Sequence, residues 1–121
     1  MIDHIQLRVR DLAVSKKFYM AALAPLGYSV VMDFPTSVGL GQGGKPDFWL
    51  STGQVASSMH IAFAAKSHDE VNQFHHAAVA AGGKDNGRSG LRTEYHPHYY
   101  GAFVLDPDGN NIEAVCHDKH E

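Results

Sequence analysis

Three residues in this chain carry metal-binding donors at positions that the sequence itself relates: His4, His60 and Glu113. Glu113 stands between Ile112 and Ala114 in "DPDGNNIEAV", a stretch otherwise fit for a protein interior. A carboxylate rarely leaves water unless something pairs with it or coordinates to it. The chain holds nine histidines in 121 residues, and histidine is the commonest metal ligand and the proton carrier of neutral pH. Two imidazole nitrogens with one carboxylate oxygen and no thiolate suit Fe(II), Mn, Ni, Co or Zn, and three ligands leave coordination positions open. Taken singly, each has a plainer reading. A histidine at the start of a strand is commonly just hydrogen-bonded, and a strand glutamate can face water.

Further chemistry clusters in "YHPHYYG" (95–101), just before a strand. His96 and Tyr100 are candidate proton carriers there, and an aromatic-rich loop could also simply seal a sheet edge. Arg92 could hold a substrate carboxylate. Trp49 offers a flat apolar wall to a planar substrate, and Tyr99 and Phe103 are candidates for the same lining. By contrast, "GQGGKP" (41–46) lacks phosphate-loop spacing and a following helix. His75 and His76 read as surface residues of a helix, and His117 and His120 as part of a frayed tail. Cys116 falls on a packed strand face, a poor place for a nucleophile.

Positioning these groups requires strands of defined parity, and a repeat supplies them. Residues 4–27 laid over 60–83 without gaps match at His4/His60, Ile5/Ile61, Phe18/Phe74, Ala21/Ala77, Ala22/Ala78, Ala24/Ala80 and Gly27/Gly83. The chain reads as one domain, 1–121, of two related modules, 1–54 and 58–117, joined by "TGQVASS". Ile5, Leu7 and Val9 alternate with His4, Gln6 and Arg8, so His4 points away from the packed face. Ile61 and Phe63 pack in the same way, and His60 projects like His4. On the last strand Ile112, Ala114 and Cys116 form the packed set, leaving Glu113 on the side of His60.

Each opening strand leads into a helix. Asp11 is the cap of the first, and Ser67 or Asp69 of the second; Gly27 and Gly82-Gly83 end them. Three short strands follow each helix: 28–34, 36–42 and 47–52, then a weak one near 84–92, 100–106 and 111–117. Turn residues at 43–46 and 106–109 separate the last two of each set. The fold class is therefore α+β, two βαβββ modules with paired, cupped, antiparallel-rich sheets.

Bulk properties narrow the function. A formal charge of −3 gives no electrostatic case for nucleic acid or an anionic membrane surface. No apolar run approaches the ~20 residues that span a bilayer, and the alternating start is not expected to be a secretory leader. The single cysteine excludes an intrachain disulfide and suits a reducing cytoplasm.

These stretches resemble the vicinal oxygen chelate superfamily, which includes glyoxalase I, extradiol dioxygenases, and fosfomycin- and bleomycin-resistance proteins. "DHIQLRVRDLAVSKKFYMAALAPLGY" is similar to its first module, "HIAFAA" to the opening of the second and "GAFVLDPDGNNIEAV" to the close. The resemblance implies a divalent metal on His4, His60 and Glu113, a small-molecule substrate bound through neighbouring oxygens, and a homodimer whose site draws on both chains. Four-ligand members such as glyoxalase I carry a second glutamate where this chain has Trp49. Extradiol dioxygenases usually carry a tyrosine where it has Phe103. The implied activity is dioxygenase-like or lyase/isomerase-like; the alternative is a non-catalytic, bleomycin-resistance-type binding protein.

Overall fold

In the computed structural model, which describes residues 2–55 and 57–118, period-2 alternation opens each half. In β1 (Ile5–Val9) Leu7 and Val9 are buried while Gln6 and Arg8 are exposed. In β5 (His60–Ala64) Ile61 and Phe63 are buried while His60, Ala62 and Ala64 are exposed. Each strand feeds a capped helix. The Asp11 carboxylate accepts the Val14 N–H at the start of α1 (Leu12–Leu23), and the Ser67 hydroxyl accepts the Glu70 N–H at the start of α2 (His68–Ala80). Such a cap contributes about 1 kcal/mol.

The helices end on glycines for two different reasons. After α1 a short 3₁₀ turn (Ala24–Leu26) closes on Gly27 at φ +89°, and Gly82 at φ +104° closes α2; both lie in the left-handed region that glycine enters freely. Gly83 is needed for space instead. A Cβ there would sit 2.5 Å from Val104 Cγ1 and 2.7 Å from Phe18 Cε1.

The remaining strands are β2 (Ser29–Phe34), β3 (Ser37–Gly41) and β4 (Phe48–Thr52), then β6 (Lys84–Leu91), β7 (Tyr100–Leu105) and β8 (Asn111–Cys116). They form two four-stranded sheets of the same order, β1-β4-β3-β2 and β5-β8-β7-β6. In each, the opening strand pairs parallel with the closing strand and the other pairs are antiparallel. The fold is the α+β duplication expected from the repeat. The expected weak strand near 84–92 is the one broken by two register shifts, around Gly87 and Gly90.

One core lies between the helices and the inner faces of both sheets. Phe18 and Phe74, matched in the repeat, are both fully buried, each contributing roughly 1.5–3 kcal/mol. Phe48 of the first sheet meets Phe63 of the second edge to face, with ring centroids 5.2 Å apart. Polar contacts also lock the modules together. The Tyr19 hydroxyl of α1 donates to Asp106 Oδ2 at 2.5 Å, and Arg10 pairs with Asp108 at 2.8 Å. Asp106 Oδ1 also accepts the backbone N–H groups of Asp108 and Asn110. The turn that launches β8 is thereby clamped to the opposite module.

Candidate functional site

The face of each sheet turned away from the helices carries the polar candidates. On the second sheet, parallel pairing sets Ala62 opposite Glu113, so Glu113 emerges beside the His60 side chain. His60 Nε2 lies 2.7 Å from Glu113 Oε1, the ring donating and the carboxylate accepting. The second oxygen is also engaged, because the Tyr99 hydroxyl donates to Oε2. Glu113 is 1% exposed, whereas the His60 side chain is 55% exposed. A buried acceptor thus presents one imidazole to solvent.

This arrangement revises the reason for the burial of Glu113. Two protein donors satisfy its carboxylate, and no buried side-chain nitrogen or oxygen among the described residues lacks a hydrogen-bond partner. Burial alone therefore does not call for a metal. The donors nevertheless suit one. Metal bonds to imidazole and carboxylate run near 2.0–2.2 Å, so neighbouring donors around an ion stand about 3 Å apart. The 2.7 Å between Nε2 and Oε1 is close to that spacing.

His4 does not join them within one chain. Its Nδ1 lies 2.9 Å from Asp3 Oδ2, with the side chain 55% exposed. Among the described residues no three His, Cys, Asp or Glu side chains come together as a set that could hold a metal ion. His4 and His60 do line a common cleft of about 480 Å³ between the modules, with Asp3, Tyr28, Asp47 and Met59. Pairing in the first sheet explains its lack of a second carboxylate. Gln6 lies opposite Trp49 there, as Ala62 lies opposite Glu113 in the second sheet. With Gln6 and Ala62 equivalent in the repeat, Trp49 occupies the position of Glu113.

The other candidates divide between faces. Phe103 is the cross-strand neighbour of Glu113, with its ring 6.1 Å from that of His60. The Arg92 guanidinium lies 5.5 Å from the centre of the Phe103 ring and donates to the Arg88 carbonyl at 2.7 Å. Trp49, on the first sheet, stacks on Phe34 at 6.4 Å. Tyr100 points to the helix side, donating to Asn72 at 2.7 Å and stacking on His68. His96 is exposed, its ring 5.8 Å from His98 and 5.9 Å from His117. His117, expected in a frayed tail, packs edge-on against Tyr99 at 5.2 Å; His120 lies outside the described residues.

The link from Tyr99 to Glu113 was missed in the sequence. Its trace is the alternation Tyr99, Gly101, Phe103: a glycine between two aromatics on one face leaves room for a ring to lie over the strand. A Cβ at Gly101 would stand 3.2 Å from Tyr99 Cε1 and 3.3 Å from Glu113 Oε2. Burial, followed by the hydrogen bond and the negative charge of Glu113, pushes the Tyr99 phenol above its ordinary value. Tyr99 is thus a hydrogen-bond donor at neutral pH.

With two duplicated modules, matching strand order and a His–Glu pair on the open face, the chain belongs to the Glyoxalase/Bleomycin resistance protein/Dioxygenase superfamily, whose family model matches residues 1–114. A glyoxalase/bleomycin resistance protein from Albidiferax ferrireducens is 32% identical, with a TM-score of 0.80, covering 96% of this chain and 98% of that one. A glyoxalase I variant from Zea mays is 25% identical, with a TM-score of 0.69 over 94% of this chain and 46% of the maize protein. Lactoylglutathione lyase from Agrobacterium tumefaciens shares the fold, with a TM-score of 0.70 at 19% identity, covering 96% and 92% of the two chains. No curated protein matches the chain. None of the helices among the described residues is long and apolar enough to cross a membrane.

Proposed function

We propose that this protein is a metal-dependent enzyme acting on a small molecule through neighbouring oxygens, with His60 and Glu113 as two of its ligands. The observation that carries the reading is the buried Glu113 carboxylate 2.7 Å from the imidazole of His60 on the open face. The third ligand is His4 of a second copy. His4 opens the first module as His60 opens the second, so a first module laid over a neighbour's second module would bring the three donors together. Met32 and Phe34, exposed at 43% and 52% on the first sheet, with Leu91 on the second and Tyr95 in the loop after it, give a second copy apolar surface to cover.

A divalent ion there would supply Lewis acidity toward two adjacent substrate oxygens. Around it, Phe103 and Trp49 form apolar walls that exclude water, and Arg92 offers a cation to an anionic substituent. His96 and Tyr100 were the expected proton carriers; Tyr100 is held by Asn72, which leaves His96 the freer of the two. The chemistry is dioxygenase-like or lyase/isomerase-like, and Trp49 in place of a second carboxylate weighs against a glyoxalase I reaction. A reducing cytoplasm suits the free, buried Cys116. The competing reading is a binding protein without metal, favoured by the two protein donors that already satisfy Glu113.

Metal content of the purified protein, measured beside the single variants His4→Ala and Glu113→Ala and their mixture, tests the proposal. Each variant alone should lose the metal. Mixed and allowed to exchange subunits, they should regain about a quarter of wild-type occupancy, because one site in each mixed two-fold dimer is intact. No metal in the reconstituted wild type would favour the binding protein. A panel of catechols, thiol adducts and 2-oxo compounds, with oxygen uptake recorded, then separates the reactions.

A further inference from the structure

We propose that Tyr99 is a positioning residue that fixes Glu113 as a one-oxygen ligand, its hydroxyl holding Oε2 while Oε1 stays beside His60 Nε2. The inference rests on the metal reading above and deepens it. A carboxylate on a flexible side chain can offer an ion one oxygen or two. Here Oε2 is already taken by the Tyr99 hydroxyl, while the other oxygen, Oε1, faces the imidazole.

The donor is braced along its length. The Arg92 N–H donates to the Tyr99 carbonyl at 2.7 Å, and the Tyr99 N–H donates to the His96 carbonyl at 3.0 Å. The Tyr99 ring is flanked edge to face by Tyr95 at 5.0 Å and His117 at 5.2 Å. Beneath it, Gly101 leaves space that a methyl group would take from both the ring and Oε2. Neighbouring aromatics do not substitute. Phe103 has no polar atom, and the Tyr100 hydroxyl is turned to Asn72 on the helix side. Groups that orient a ligand in this way commonly change metal affinity 10–100-fold when removed.

Cobalt(II) is the probe, titrated into the full-length protein with both affinity and the visible d–d spectrum recorded. Wild type should bind; Tyr99→Phe should bind roughly 10–100-fold more weakly with an altered spectrum, as Glu113 turns to offer both oxygens. Gly101→Ala, which keeps the phenol but displaces it, should shift the spectrum in the same sense and covers the case in which the phenylalanine variant misfolds. His60→Ala should abolish binding. Equal affinity and identical spectra for wild type, Tyr99→Phe and Gly101→Ala would overturn the role of Tyr99 and leave the metal reading standing. Failure of the wild type to bind cobalt, or undiminished binding by His60→Ala, would overturn both.

Discussion

Removing the Tyr19 hydroxyl tests the clamp that holds the start of β8. Tyr19 is fully buried and its hydroxyl donates to Asp106 Oδ2 at 2.5 Å. In Tyr19→Phe, Asp106 keeps the N–H groups of Asp108 and Asn110 and the Asn110 side-chain amide. The loss is thus one hydrogen bond to a charged group, about 1.5–3 kcal/mol, with little change in volume. The effect should also depend on pH. Burial, followed by the charge of Asp106, pushes the Tyr19 phenol well above its ordinary value. Above about pH 10 the unfolded chain releases the tyrosine proton while the folded protein retains it, and stability falls by about 1.4 kcal/mol per pH unit. The Tyr19 contribution is therefore whole below pH 10 and declines as pH rises toward the folded value. Urea unfolding followed by circular dichroism should show wild type ahead of Tyr19→Phe by about 2 kcal/mol at pH 7. At pH 11 the gap should narrow by about 1.4 kcal/mol. Tyr28 and Tyr99, also raised, are present in both proteins and cancel. A gap that is absent at pH 7, or unchanged at pH 11, would refute the argument.

Gly83→Ala should lower stability by about 1–3 kcal/mol in the same assay, since its methyl group collides with Val104 and Phe18; an unchanged urea midpoint would show that the core yields. Ser67→Ala should cost about 1 kcal/mol through the lost cap on Glu70 N–H, read as a lower thermal midpoint. Trp49→Glu should tighten divalent-metal binding by placing a second carboxylate opposite Gln6, while losing about 1 kcal/mol of stacking on Phe34. Isothermal titration showing weaker or equal binding would contradict the equivalence of positions 49 and 113.

Much of this architecture is legible in residue types because strand parity is local. Leu7 and Val9, and Ile112 and Ala114, declare one face, and Gln6 and Glu113 are assigned to the other by default. The ungapped repeat stops at Gly27 and Gly83, so the place of the missing carboxylate at Trp49 comes from the family resemblance, and the pairing of Gln6 with Trp49 matches it. Two features were out of reach. Tyr99 lies in the loop just before β7, so although it alternates with Gly101 and Phe103, its grip on Glu113 depends on loop closure through Arg92 and His96. The separation of His4 from His60 and Glu113 depends on how two modules dock, which is decided by interior contacts such as Phe48 on Phe63 rather than by spacing along the chain.

The turn at 106–109 and its counterpart at 43–46 show how duplicated halves have diverged. One is riveted to the other module through Tyr19 and Arg10. Its counterpart carries Gly44, where an added methyl group would meet nothing within 4 Å, beside Gly43, whose φ of +66° still calls for glycine. Loop grafting or library diversification that keeps Gly43 should therefore succeed at the earlier hairpin and fail at the later one.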